Sequence, residues 1–217
     1  MKTSACIFDM DGVLCDTIPF HVEAWHTYSR ERDRELADGE IIAWMGADNR
    51  FYLERILGRE PAEREVEECV ARKESLFREL SRGRLRPPPG LHAFMDGLRT
   101  AGMKLAVATG APPDNVEFIL GGLGLAEFFP VVVDSAAGLR CKPAPDCYLK
   151  AAELLGAPPE ECIVFEDATG GIAAAKAAGM RVAAIVGTNT RETLEAAAPD
   201  WIFDSFEEAG AAGAFAR

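Results

Sequence analysis

The stretch Ala5-Cys6-Ile7-Phe8-Asp9-Met10-Asp11-Gly12-Val13-Leu14 decides how this chain is read. Its apolar start predicts a buried parallel strand, and it ends in two carboxylates one residue apart, followed by glycine. Open α/β sheets bind their ligands at the carboxyl ends of strands, so a strand that delivers Asp-x-Asp-Gly there offers a site. As strand residues, Asp9 and Asp11 share one face, because side chains repeat with period two. Two anions that close repel, and they need a cation, a shared proton or both. A plain turn competes with this reading, since Asp and Gly favour turns. A calcium-hand loop does not fit, because Val13 and Leu14 stand where a further ligand and the glycine belong.

Beyond this strand the texture changes twice. Residues 18 to about 86 hold no strand-like run and are dense in Arg and Glu at helical spacing. Pro19 follows a cap at Asp16/Thr17, and a long helix follows Pro61, with Val66, Cys69, Val70, Leu76, Phe77 and Leu80 as a partial apolar stripe. The run Arg86-Pro87-Pro88-Pro89-Gly90 then reads as a stiff connector. From there strands and helices alternate: strands at 104–109, 130–134, 162–167, 181–186 and 200–203, with helices at 114–120, 145–155 and 170–178 between them. The pair Gly121-Gly122 is read as the stop of the helix before it rather than as a nucleotide loop. Such alternation predicts a Rossmann-like doubly wound parallel sheet covered by helices. The first strand belongs to that sheet, so the expected organisation is an α/β core of residues 1–16 and 87–217 with an inserted all-helical cap, residues 17–86.

Composition excludes several classes. The 217 residues carry 23 Lys plus Arg against 35 Asp plus Glu, a net charge of −12. Nucleic-acid partners need a basic footprint and anionic membranes need a basic surface, so neither is expected. The six cysteines show no C-x-x-C pair and no zinc spacing, which fits a reducing compartment. Asp9 and Asp11 interrupt the only N-terminal apolar run, so no secretory leader is expected, and the cytoplasm is the expected location.

Each core strand ends in polar groups that suit one chemistry. The first gives Asp9 and Asp11, and the strand at 104–109 gives Thr109-Gly110, a hydroxyl with free backbone donors. After the strand at 130–134 comes Lys142-Pro143-Ala144-Pro145-Asp146, a cation stiffened by two prolines, and the next strand ends in Glu166-Asp167. For Lys142 the plainer reading is a solvated surface lysine, but the acids it must offset weigh against that. Glu166 and Asp167 could instead cap the helix that follows, a use compatible with metal binding. Four acids around one sheet edge want a hard, oxygen-loving divalent ion, and Mg²⁺ suits.

These four segments, together with Ala168-x-x-Gly171-Ile172-x-Ala174-x-Lys176-Ala177-Ala178-Gly179-Met180, resemble the haloacid dehalogenase superfamily across nearly the whole chain. The branch they look like holds beta-phosphoglucomutase and capped small-molecule phosphatases. The resemblance implies that Asp9 attacks phosphorus to form an aspartyl-phosphate, and that Asp11 acts as general acid and then base. It further implies that Asp9, the Asp11 carbonyl, Asp167 and Glu166 hold Mg²⁺, and that Lys142, Thr109 and the donors near Gly110 bind the transferring oxygens. His21 resembles a family histidine beside the general acid, with a structural histidine equally open.

The mutase grips a second phosphate with a cap lysine and arginine. In the matching stretch Trp44-Met45-Gly46-Ala47-Asp48-Asn49-Arg50-Phe51, Met45 and Asn49 stand at those positions, with Arg50 one residue off. Asn49 and Arg50 remain the candidate cap ligands. Trp25, Trp44, Met45 and Tyr52 form either an apolar wall over the leaving group or ordinary helix packing. The expectation is therefore a monomeric Mg²⁺-dependent phosphatase acting on a small phosphorylated metabolite. A mutase is the alternative, and a catalytically silent binding protein on the same fold is a more distant one.

Overall fold

In chain order the elements are β1 (Ala5–Phe8), α1 (Ile18–Arg30), α2 (Asp38–Ala43), α3 (Asn49–Leu57), α4 (Glu63–Ser81), α5 (Leu91–Thr100), β2 (Lys104–Ala108), α6 (Pro113–Gly122), β3 (Val131–Val133), α7 (Asp146–Leu155), β4 (Cys162–Glu166), α8 (Thr169–Ala177), β5 (Arg181–Ile185), α9 (Arg191–Ala196), β6 (Trp201–Phe203) and α10 (Phe206–Ala212). The computed structural model describes residues 3–44 and 49–213. They divide into two compact units, Met1–Asp16 with Leu85–Arg217, and Thr17–Arg84. No helix among the described residues is long and apolar enough to cross a membrane.

The first unit is built on a six-stranded sheet ordered β3-β2-β1-β4-β5-β6, every neighbouring pair parallel. The fold is the doubly wound one that the alternating texture predicts. Its strands are apolar on both faces because helices cover both. On one face Ala5, Ile7, Val164, Val182 and Ala184 pack against Tyr148, Ala151 and Ala152 of α7 and Ile172, Ala174 and Ala175 of α8. Alternation turns Phe8 and Phe165 to the other face, where their rings stack 4.6 Å apart, and Phe94 of α5 and Phe206 of α10 close on them. The chain winds outward from β1 through β2 to β3 in one direction, and from β4 through β5 to β6 in the other. The crevice of this topology therefore opens between the ends of β1 and β4.

Two details depart from the sequence reading. β1 stops at Phe8, so Asp9 and Asp11 lie in the turn beyond it, and strand periodicity does not place them. The turn is closed by Leu14 N–H donating to the Met10 carbonyl and Gly12 N–H donating to that of Cys15. Helix α6 also runs through Gly121 and Gly122. Its terminator is Gly124, at φ 68°, where the Leu125 N–H reaches back to the Leu120 carbonyl.

The second unit is helical. Trp25 of α1 stacks on Tyr52 of α3 with ring centroids 4.2 Å apart, and His21 stacks on Phe77 of α4 at 4.2 Å. Trp25 and Tyr52 are 2% and 3% exposed, so both rings are core packing of this unit, and Trp44 meets Tyr52 edge-on. Met45 lies outside the described residues.

Candidate active site

Chemistry gathers where β1 and β4 end. Asp9 leaves β1 with its N–H bonded to the Phe165 carbonyl, which sets it against the last residues of β4. The Lys142 Nζ donates to Asp9 Oδ1 at 2.6 Å and to Glu166 Oε1 at 2.7 Å. Lys142 is carried by the loop between β3 and α7, whose ends Arg140 and Asp146 tie together with two bonds of 2.9 and 2.8 Å. The Tyr148 hydroxyl also donates to Glu166 Oε1, at 2.6 Å, and its ring lies 4.8 Å from the Lys142 ammonium. Glu166 Oε2 accepts the N–H groups of Asp167 and Ala168, both at 3.0 Å, at the start of α8. Glu166 thus has both oxygens filled and fixes the cation that faces Asp9.

Thr109 follows β2 at the same sheet edge, 4% exposed, its Oγ1 accepting from the Ala111 N–H. The neighbouring Gly110 is exposed. Asp11 stands close enough to Asp9 for its charge to act on it. The structure thus brings Asp9, Lys142, Glu166 and Asp167 together, with Asp11, Thr109 and Gly110 on the same rim. The other three candidates belong to the helical unit. His21 Nδ1 lies 2.9 Å from the Lys73 Nζ, which also donates to Glu74 Oε1 at 2.9 Å. An ammonium can only donate, so Nδ1 accepts and the ring proton sits on Nε2. Arg50 pairs with Glu63 and donates to the Pro61 carbonyl at 3.2 Å, and Asn49 opens α3.

The charge balance at this edge suits a bound cation. Asp9, Glu166 and Asp167 are 9%, 1% and 2% exposed, and each offers a carboxylate oxygen within 4.8 Å of the others. One ammonium against three carboxylates leaves two negative charges in excess, the amount a divalent ion cancels, and an all-oxygen donor set is what Mg²⁺ takes. The donors therefore fit that ion. Burial pushes the Asp9 carboxyl well above its usual range, with Glu166, Asp11 and Asp167 adding to this against the pull of Lys142. Burial would also strip the Lys142 proton, but Asp9 and Glu166 hold its ammonium well above the ordinary lysine value. Burial and Glu166 push Asp167 up to about 7. Cys15, beside the motif, is buried and pushed up to about 11, an inert thiol.

The Asp167 shift gives the metal-free protein a signed pH dependence. The folded state keeps a proton to about pH 7 that the unfolded chain loses near 3.8. Stability from this group is therefore complete below pH 3.8 and is lost as pH rises through 7, by about 4 kcal/mol in total. In chelator, the melting temperature of the wild type is expected to fall relative to that of Asp167→Asn between pH 5 and 8. Added Mg²⁺ should stabilise the wild type more at pH 8 than at pH 5. Parallel melting curves for the two proteins would contradict this.

Gly171 shows why the motif after β4 needs glycine. A Cβ there would lie 1.6 Å from Glu166 Oε1 and 1.9 Å from its Cδ. Gly to Ala in an open helix stabilises by about 1 kcal/mol. Here the sign reverses, because the carboxylate could move only by releasing Lys142, Tyr148 and two backbone donors. Gly171→Ala is expected to lower both the melting temperature and kcat, the latter by about 10²-fold through misplacement of Lys142. A stabilised, fully active variant would contradict it.

Sequence reasoning missed Tyr148, Lys73, Thr188 and Asn189. The last two follow β5 in the polar run Gly187-Thr188-Asn189-Thr190, and the rule that ligands gather at strand ends was the available signal. Asn189 Nδ2 donates to the Asp167 carbonyl at 3.0 Å.

Residues 3–179 match the family model for haloacid dehalogenase-like hydrolases. The chain is 32% identical over 181 residues to the fructose-1-phosphate phosphatase YqaB of Escherichia coli (strain K12), covering 82% of this chain and 94% of that one. It is 30% identical over 218 residues to the beta-phosphoglucomutase of Mycobacterium bovis, covering 87% and 82%. Among solved structures, CbbY from Rhodobacter sphaeroides in complex with phosphate aligns with a TM-score of 0.85 at 29% identity, over 96% of this chain and 98% of that one. The chain is also 34% identical, over 94% of its length, to Protein SUPPRESSOR OF QUENCHING 1, chloroplastic, of Arabidopsis thaliana, of which it spans only 20%.

Proposed function

This chain belongs to the haloacid dehalogenase-like hydrolase family, and from that premise we propose that it is a Mg²⁺-dependent phosphatase hydrolysing a small phosphorylated metabolite through an aspartyl-phosphate on Asp9. The observation that carries the reading is the Asp9 carboxylate paired with Lys142 at 2.6 Å inside an acidic cluster otherwise short of positive charge.

An Asp9 oxygen attacks phosphorus, the bond from phosphorus to the ester oxygen breaks, and Asp11 gives its proton to the departing alkoxide. Asp11 then takes a proton from water as the water oxygen attacks phosphorus. The bond to Asp9 breaks and inorganic phosphate leaves. The Lys142 ammonium, the Thr109 hydroxyl and the donors near Gly110 receive the charge that grows on the transferring oxygens, each such donor contributing about 3–4 kcal/mol to the transition state. Asp9, Asp167 and the Asp11 carbonyl would hold the magnesium ion, which when bound offsets the repulsion between nucleophile and phosphate. Glu166, expected from the sequence as a further ligand, has its oxygens engaged and holds Lys142 instead.

The likeness to a beta-phosphoglucomutase supports a second reading, a sugar-phosphate mutase. The commitment of Arg50 to Glu63 and Pro61 favours the phosphatase, because a mutase needs a cap cation for the second phosphate. The test incubates the purified protein with a panel of sugar phosphates, with Mg²⁺ or with chelator, and follows phosphate release. Metal-dependent release supports the phosphatase. Conversion of beta-glucose 1-phosphate to glucose 6-phosphate, primed by a bisphosphate and without released phosphate, makes it a mutase. Silence towards every substrate makes it a binding protein.

A further inference from the structure

Asp167 is clasped from both neighbouring strands. β4, which delivers it, lies between β1 and β5, and the loops that follow those two strands meet across its carboxylate. From the β5 side, the hydroxyl and the backbone N–H of Thr188 face the Asp167 carboxylate and favour its ionised form. From the β1 side, Gly12 presses so close that a Cβ on it would lie 2.0 Å from Asp167 Oδ2 and 2.5 Å from Thr188 Oγ1. A Cβ on Gly187 would in turn lie 2.9 Å from the Gly12 carbonyl oxygen, so the two loops interlock glycine against glycine. Asn189 pins the main chain of the same residue through its carbonyl, and Thr190 anchors the far end of the loop as N-cap of α9, accepting the Thr193 N–H.

We propose that Thr188 and Asn189 are positioning residues that hold Asp167 in the one orientation presenting an oxygen to Asp9 and Glu166, so that the site binds a divalent cation without reorganising. The proposal deepens the phosphatase reading and rests on its metal site. A carboxylate has four lone-pair directions and several open rotamers. Thr188 engages the carboxylate from the β5 side, and Gly12 denies the side chain room to swing. Partners of this kind, one bond removed from the ion, commonly govern metal affinity by about 10–100-fold. They do so while leaving the reacting groups in place, and Thr188 is not itself one of the proposed reacting groups. Its exposed position in the loop makes its side chain replaceable without opening the core.

The test measures binding of Mn²⁺, an oxygen-loving stand-in for Mg²⁺, to the full chain by the loss of the free-ion paramagnetic resonance signal, alongside the Mg²⁺ dependence of para-nitrophenyl phosphate turnover. Thr188→Val removes the hydroxyl donor and keeps the shape, Thr188→Ser restores the donor, and Asn189→Ala removes the main-chain pin. Thr188→Val is expected to weaken Mn²⁺ binding by about 10-fold or more and to raise the Mg²⁺ needed for half-maximal turnover in step. Its kcat and substrate KM at saturating Mg²⁺ should stay within about threefold of wild type, with Thr188→Ser close to wild type throughout. Asn189→Ala should move the same two quantities in the same direction. Wild-type binding of Mn²⁺ with unchanged binding in Thr188→Val overturns this proposal alone. A wild type that binds no Mn²⁺ overturns both the proposal and the phosphatase reading beneath it.

Discussion

Asparagine in place of Asp9 is expected to give a folded protein, at least as heat-stable as the parent, that has lost about 10⁴-fold or more in kcat. The two halves of this result come from one charge. As an ionised oxygen, Asp9 is the proposed nucleophile, and the neutral oxygen of an amide is too weak a nucleophile to replace it. As a buried carboxylate, it is crowded by Glu166, Asp11 and Asp167, and burial raises its pKa further, so ionising it costs the fold energy. Asparagine is the same size and neutral. Lys142 is not orphaned by the change, because Glu166 Oε1 remains 2.7 Å from its Nζ. Melting in chelator at pH 8 against phosphatase assay at saturating Mg²⁺ reads both effects. Retained turnover would remove Asp9 as nucleophile. An inactive variant that melts well below the parent would mean that the Lys142 pair stabilises the site more than the crowding destabilises it.

The outline of this site was legible in the sequence because strand ends are local features. Alternation from Lys104 onward gave the doubly wound sheet, and in such a sheet the residues following β1, β2 and β4 must share an edge. What could not be read is whatever depends on two distant segments touching. Tyr148 looks like an apolar position on an amphipathic helix, and only the fold shows its hydroxyl aimed at Glu166. Gly171 sat inside a recognisable motif, yet the reason for it is a carboxylate folded back over its Cα. The same holds for Arg50, which suggests a phosphate ligand until Glu63, thirteen residues on, is found against its guanidinium. The strand-end rule places Asp9 and Asp11 at the right edge, but strand periodicity does not set them on one face, since β1 ends at Phe8. A tight turn brought the two carboxylates near one another instead.

The second large effect concerns the only ammonium among the described residues that touches both Asp9 and Glu166. Lys142→Met keeps an unbranched side chain and removes the charge, leaving Asp9, Glu166 and Asp167 facing one another at 9%, 1% and 2% exposure. Taking one partner from a buried pair commonly costs about 3–5 kcal/mol, because the other charge stays behind unmatched. Here the cost has a pH signature. The carboxylates escape repulsion by taking protons, so the variant's deficit in melting temperature is expected to be small at pH 5 and large at pH 8 in chelator. Mg²⁺ supplies positive charge to the same oxygens and should recover part of that deficit. Turnover is expected to behave differently, because a magnesium ion cannot stand where the Lys142 ammonium is proposed to meet the transferring phosphate oxygens. Loss of that donor is expected to lower kcat by about 10³-fold even when the metal is saturating. A deficit equal at the two pH values would show that Lys142 stabilises the loop by packing rather than by charge. Recovery of full turnover at high Mg²⁺ would show that the ammonium only balances the acids and leaves the transition state to other groups.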